Sequence, residues 1–350
     1  MTLGIIDVGT NTIHLLIGVL GLNGKFHVIL KERDLTRLGE GGLAQGRLTG
    51  ASMRRATEVL RRYAAIMQRC GVDRVEAVAT SAVRESRNGR AFVREIRRRL
   101  RLPLRIISGR EEARLIYLGV LQQYRFRWPV VIISIGGGST QVICGDGARA
   151  RYLASVQLGG SRLAQRFIRH DPPRTEDVEA LGAHVQRTWA PVVRALRRQR
   201  WRQALGSSAT VYQLSLAAYL HQHEQPPKAK AHLRVSRHAL RRLVERLASS
   251  TALQRMQLPG VDPRREDLLL PTGVALLALM EACAIRHVRY EPGSLREGLV
   301  MDYLIKHHQR LGRSIEGPLA ELFGANGHEL SLPWRKRLRR RLQRTHRTVA

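Results

Sequence analysis

The sequence predicts an α/β protein in which one supersecondary design is used twice. Two observations carry this. Short apolar runs of strand character alternate with longer stretches of helical period. And an apolar strand, a small-residue turn and a second apolar strand occur once near residue 5 and again near residue 132.

The first apolar run, residues 3–7, ends in the turn Gly9-Thr10-Asn11-Thr12 and is followed by a second run at 13–20, which together read as a β-hairpin. A third strand is expected at 26–31 and a glycine-rich loop at 38–50. Residues 51–69 have helical period and stop before Gly71. Strands at 75–79 and 104–107 then alternate with helices at 88–100 and 111–122. The fully apolar run 130–135 leads into Gly136-Gly137-Gly138-Ser139-Thr140, and strands at 142–144 and 152–156 continue that sheet. Helices are expected at 160–170 and 175–200, separated by Pro172-Pro173. A short strand at 203–205, the polar turn 206–210 and a helix at 209–220 follow, then a polar loop at 222–230 and helices at 237–248, 267–285 and 295–307.

At 350 residues the chain is long enough for two domains, placed at 1–124 and 125–310, the second with a helical part over about 175–305. Residues 311–350 form a basic tail, either helical or disordered. Eight Lys or Arg fall between Arg335 and Arg347 with no acid among them. Apolar content is 43% and aromatic content 5%, so aliphatic side chains fill the core. No apolar run is long enough to span a bilayer, and Asp7 interrupts the first apolar stretch with no basic segment before it. This pattern excludes a membrane span and a secretory leader and points to the cytoplasm. Cys70, Cys144 and Cys283 lack metal-ligand or disulfide spacing and read as reduced thiols. The formal net charge is +32, almost all of the excess being arginine, which favours polyanionic partners. Nucleic acid is one such partner, but no base-reading module or aromatic stacking pattern accompanies the charge.

The duplicated design carries the chemistry. Gly9 and Gly136 open the two turns, 127 residues apart, and glycine lets backbone N–H groups approach a phosphate closely. Ser and Thr hydroxyls add donors. Two such turns facing each other would clamp a phosphate chain from both sides.

Five motifs in order are similar to those of the exopolyphosphatase / guanosine pentaphosphate phosphohydrolase family: Asp7–Thr12, Ala79–Glu85, Ile107–Arg114, Gly136–Thr140 and Leu295–Gly298. The resemblance covers residues 3–305 and implies the sugar kinase–Hsp70–actin fold: two RNase-H-like domains with the active site in the cleft between them. It implies Mg²⁺-assisted release of terminal phosphate from polyphosphate or from guanosine pentaphosphate, polyphosphate or guanosine tetra- or pentaphosphate as the bound partner, and a homodimer. Transferred residue by residue, it makes Glu112 the catalytic base and Asp7 a Mg²⁺ ligand, alone or with Glu112. Gly9, Asn11, Thr12, Arg84, Gly137, Gly138, Ser139 and Thr140 become phosphate contacts. Glu111 fits equally a capping box begun by Ser108.

The sequence departs from the family at the second loop. Ser134 and Gln141 stand where the family has Asp and Glu, and Ala209 stands where it has a glycine. The lost charge weakens metal binding, so a member that binds polyphosphate or a guanosine alarmone without hydrolysing it is the alternative to an active hydrolase. A phosphotransferase of the same fold is the weaker third reading, since 108–114 and 295–298 resemble the hydrolases.

Overall fold

The computed structural model describes residues 1–20, 26–124, 126–147, 149–223, 225, 227 and 233–310. The basic tail expected at 311–350 and most of the loop expected at 222–230 lie outside these residues.

Two mixed sheets form the frame. In the first, β1 (Thr2–Val8) is the centre. It pairs antiparallel with β2 (Thr12–Leu20), which pairs antiparallel with β3 (Phe26–Leu35). On its other side β1 runs parallel to β4 (Arg74–Ala79), and β4 to β5 (Leu104–Ile106). The order is β3-β2-β1-β4-β5. The second sheet repeats it with β6 (Val130–Ile135), β7 (Thr140–Gly145), β8 (Ala150–Val156), β9 (Gln203–Ser207) and β11 (His287–Tyr290), in the order β8-β7-β6-β9-β11. Here β10 (Arg234–Ser236) is added at the edge. Each sheet is thus RNase-H-like, as the family resemblance implies. The expected boundary near residue 124 falls between α4 (Gly109–Gln123) and β6.

Eleven α-helices occur among the described residues. Helix α1 (Gly50–Arg69) joins β3 to β4, and α2 (Ser81–Arg84) and α3 (Gly89–Leu100) join β4 to β5. In the second half α5 (Gly160–Phe167) and α6 (Thr175–Arg197) lead into β9. Between β9 and β11 lie α7 (Ala209–Leu220), α8 (Arg237–Ala248), α9 (Ala252–Gln257) and α10 (Glu266–Ala282), and α11 (Leu295–Arg310) ends the described chain.

Three apolar layers result. Alternate residues of β6 divide between two of them: Val131, Ile133 and Ile135 face α6, α8 and α10, while Val130 and Ile132 face the middle layer. In β1, Ile6 and Val8 face α1 and α3, while Leu3 and Ile5 face the same middle layer. A central strand buried on both faces is apolar at nearly every position, which is why β6 is apolar throughout except at Ser134, beside the turn.

The middle layer is built on α4 and α11, which cross so closely that glycine is required on both. A Cβ at Gly298 would lie 1.8 Å from the Leu115 carbonyl oxygen, and one at Gly119 would lie 2.1 Å from that of Ser294. The two helices follow the last strands of their respective sheets, so this crossing fixes the sheets relative to each other.

Where the elements differ from the sequence reading, pairing explains it. Strand β3 extends to Leu35 through Lys31, Glu32, Arg33 and Asp34. It is an edge strand with no fully buried residue, so its backbone ladder with β2 holds it rather than an apolar pattern. Strand β11 was not expected. It has four residues, of which only Val288 is buried, too few for a periodicity to register.

The crossing yields a prediction. Gly298→Ala lowers stability by about 1–3 kcal/mol or more, because backbone rather than a movable side chain opposes the new Cβ. Gly182→Ala in α6, where nothing lies within 4 Å, raises it by about 0.5–1 kcal/mol. Urea unfolding of the two variants checks both signs.

Candidate phosphate-binding cleft

The two glycine turns meet between the sheets. Both are closed by the same backbone bond, Gly9 N–H to the Thr12 carbonyl at 3.1 Å and Gly136 N–H to the Ser139 carbonyl at 2.9 Å. They face each other directly. A Cβ at Gly138 would lie 2.5 Å from Ser81 Oγ and 2.6 Å from Thr10 Oγ1, and one at Gly137 would lie 3.0 Å from Asn11. The Ser161 hydroxyl of α5 donates to Asn11 Oδ1 at 2.5 Å, tying the first turn to the second half of the chain. Around these turns lies a cleft of about 180 Å³.

Of the residues singled out from the sequence, the cleft lining contains Asp7, Gly9, Asn11, Thr12, Glu112, Gly137, Gly138 and Ser139. Thr140 lies beneath it, its hydroxyl donating to the Leu158 carbonyl at 2.6 Å. Arg84 is behind the wall, where its guanidinium meets Glu112 at 2.8 Å, Glu85 at 3.3 Å and the Ile107 carbonyl at 3.2 Å. Glu85 in turn pairs with Arg162 of α5, whose Nε donates to the Gly138 carbonyl at 3.0 Å. Arg84 therefore orients Glu112, and the chain Glu112–Arg84–Glu85–Arg162 runs from the first half of the molecule to the second loop.

Glu112 is buried in the first turn of α4, whose N-cap is Ser108, accepting from the Glu111 N–H at 3.0 Å. Only half of the expected capping box forms: Ser108 caps the helix, but the Glu111 carboxylate turns away to Arg105 at 2.6 Å instead of returning to the Ser108 N–H. Burial raises the Glu112 pKa above the ordinary carboxylate value against the opposing pull of Arg84. Asp7, at the end of β1, is pushed up to about 7, chiefly by burial. Arg296 opposes this, and the nearby carboxylates Glu112 and Glu297 reinforce it. Among the described residues the Asp7 carboxylate has no hydrogen bond and no ion pair.

Strand register makes the two loops comparable position by position. Asp7 lies opposite His14 across β1 and β2, and Ser134 lies opposite Gln141 across β6 and β7. The amide of Gln141 donates to Ser139 Oγ at 2.9 Å and Ser155 Oγ at 3.1 Å, so it stiffens the loop where a carboxylate would carry charge. Ser208, at φ +109°, holds the adjoining turn by donating to the Ile135 carbonyl at 3.0 Å and capping α7.

Three cleft residues escaped the sequence reading: His14, Arg265 and Arg296. Arg296 approaches His14 Nδ1 at 2.9 Å, and Arg265 donates to Thr12 Oγ1 at 3.1 Å. Neither guanidinium has a carboxylate within ion-pairing distance among the described residues. Burial, with Arg296, Arg265 and Arg33 adding to it, depresses His14 to about 2, so the imidazole is neutral and accepts from Arg296. Arg296 lies inside one of the five motifs, but in a chain this rich in arginine nothing local distinguishes it. Arg265 comes from a short 3-10 turn, Pro263–Arg265, that has no pattern of its own.

A cleft between two RNase-H-like sheets, walled by facing glycine turns, two free guanidinium groups and a buried carboxylate, defines a phosphate-handling protein of the actin–Hsp70–sugar-kinase type. Residues 21–307 match the Ppx/GppA phosphatase family, and the chain belongs to it. An exopolyphosphatase from Cytophaga hutchinsonii is 29% identical, with 87% of this chain and 98% of that one covered and a TM-score of 0.80. An exopolyphosphatase-like protein is 25% identical over 86% and 97% of the two chains, TM-score 0.77. A Ppx/GppA family member from Aquifex aeolicus shares the fold at 24% identity, over 88% of this chain and 98% of that one, TM-score 0.72.

The depressed His14 pKa sets a direction for stability against pH. The folded chain keeps His14 neutral down to about pH 2, whereas the unfolded chain takes up the proton near the ordinary value of 6.5. Stability contributed by this site is complete above about pH 6.5 and declines as pH falls below it. His14→Gln removes that contribution, so the wild-type advantage over the variant shrinks between pH 7.5 and pH 5. Denaturant titrations at the two pH values measure it.

Proposed function

We propose that the chain hydrolyses the terminal phosphoanhydride of inorganic polyphosphate or guanosine pentaphosphate in this cleft, with Glu112 as general base and Mg²⁺ as cofactor. The observation that carries the reading is the convergence of two facing glycine turns and one buried, arginine-oriented carboxylate on a single cleft. Backbone N–H groups of the turns and the hydroxyls of Thr12 and Ser139 would hold the phosphate chain. Arg265 and Arg296 would neutralise part of its charge.

Glu112 would accept the proton of a water as its oxygen attacks the terminal phosphorus. The bridging P–O bond breaks, and the shortened chain leaves with the bridging oxygen. The raised pKa suits Glu112 to this role, because a more basic carboxylate takes a proton more readily. Arg84 would keep that carboxylate aimed without contacting substrate itself.

The unpartnered carboxylate of Asp7 fits a hard cation that favours oxygen ligands and retains its waters. Glu112, already engaged by Arg84, is the weaker candidate ligand. Mg²⁺ held at Asp7 would supply charge neutralisation to the phosphate chain.

Binding without hydrolysis is the second reading, favoured by the uncharged Ser134 and Gln141. Under either reading we assign the protein to the cytoplasm. Its three cysteines are free, and among the described residues no helix is long and apolar enough to cross a membrane.

Phosphate release from long-chain polyphosphate and from guanosine pentaphosphate, with and without Mg²⁺, tests the proposal. Wild type is expected to release phosphate only with Mg²⁺. Glu112→Gln should lower turnover by about 10²-fold or more, and Asp7→Asn should raise the Mg²⁺ requirement at least about tenfold. Undiminished release by Glu112→Gln overturns the assignment of the base. No release by wild type, with polyphosphate still bound, leaves the second reading.

A further inference from the structure

At the opposite end of the second sheet from the cleft, a surface combines exposed tryptophan with arginines that no acid neutralises. Strands β6, β9 and β11 run in parallel, so the residues before them meet at one edge: Trp128 before β6, Trp201 and Arg202 before β9, and Arg286 before β11. The cleft lies where β6 and β9 end. The length of β6, six residues at about 3.3 Å each, puts the two sites about 20 Å apart.

Two depressions adjoin at this edge and share Trp201 and Arg202. One, of about 530 Å³, adds Trp128, Arg197 and Arg200. The other, of about 330 Å³, adds Arg234, Arg286 and Arg289. Trp128 is 51% exposed, and the Arg202 guanidinium stacks 4.3 Å from its ring centre. The Trp201 indole N–H reaches the Leu196 carbonyl at the end of α6 at 3.4 Å, which anchors that ring.

Arginines without a carboxylate partner occur elsewhere among the described residues too, Arg94 and Arg98 of α3 being examples; what sets this edge apart is that they adjoin two tryptophans. At the tryptophan edge Glu291 holds Arg289, while Arg197, Arg200, Arg202, Arg234 and Arg286 have no carboxylate partner among the described residues. Unneutralised guanidinium groups call for a polyanion. Phosphate alone, however, gives no reason for the Trp128 indole to stand half in water, whereas a flat base stacking on it does. An arginine stacked on a tryptophan extends the platform and adds cation–π attraction.

We propose that this edge is a binding surface for single-stranded nucleic acid, whose bases stack on Trp128 and Trp201 while Arg197, Arg200, Arg202, Arg234 and Arg286 engage its phosphates. The ribose or deoxyribose strand presents the same chemistry to such a surface, without sequence preference. The surface is separate from the cleft and holds whether or not the cleft hydrolyses polyphosphate.

Fluorescence anisotropy of labelled oligouridylate and oligothymidylate of about 12 nucleotides tests it with the full chain. Binding of either strand is expected, weakening steeply with salt; which of the two binds more tightly separates RNA from DNA. Trp128→Ala should lower affinity about fivefold or more, the loss of one base–aromatic stack. The double variant Arg200→Glu/Arg202→Glu should lower it about tenfold or more. Arg94→Glu/Arg98→Glu, an equal charge change on exposed positions of α3, should have a much smaller effect. Circular dichroism and phosphate release shared with wild type would show that the variants fold. The proposal is overturned if neither strand binds, if Trp128→Ala binds as tightly as wild type, or if the α3 variant loses as much affinity as the edge variant.

Discussion

The close crossing of α4 and α11 is the contact on which the arrangement of the site depends. Each helix begins at the end of its own sheet, and each brings a cleft residue in its first turn: Glu112 from α4 and Arg296 from α11, with Glu297 next to it in the chain. Glycine at 119 and 298 lets the backbones approach to a distance no side chain would tolerate. The approach of Arg296 to Asp7 and His14, and the mutual influence of Asp7, Glu112 and Glu297, follow from it.

Around that contact the charge balance has shifted from acid to base. The second loop carries Ser134 and Gln141 in the register occupied by Asp7 and His14 in the first. Two guanidinium groups without carboxylate partners, Arg265 and Arg296, sit in the same cleft. Asp7, by contrast, is a cleft carboxylate with no hydrogen bond or ion pair among the described residues. The ion-pair relay Glu112–Arg84–Glu85–Arg162 links the buried carboxylate of Glu112 to the backbone of the second loop through neighbouring contacts.

Much of this was legible in the order of residues. The repeated strand–turn–strand design sets both hairpins, because apolar alternation and glycine turns act within a few residues of each other. The continuous apolar run of β6 marks it as a strand buried on both faces. Glu112 and Asp7 stand in motifs whose spacing alone ties them to helix and strand ends. Less legible were β11, with a single buried residue, and the charged half of β3, which its partner strand holds in place.

What residue order determined, then, was local: the element types, the two glycine turns and the carboxylates beside them. What only the tertiary structure decided was which distant groups share a space. Arg84 reads as a phosphate contact from its motif, yet it is spent on Glu112 and Glu85 because α2 packs behind α4 rather than over the cleft. Arg265 and Arg296 become cleft residues, and Trp128 and Trp201 come to share one edge, through pairings between segments far apart in the chain. The physical reason is range. Periodicity and turn chemistry are written in neighbours along the chain, whereas electrostatic partners and stacking surfaces are set by helix crossings and strand register, in which every element takes part at once.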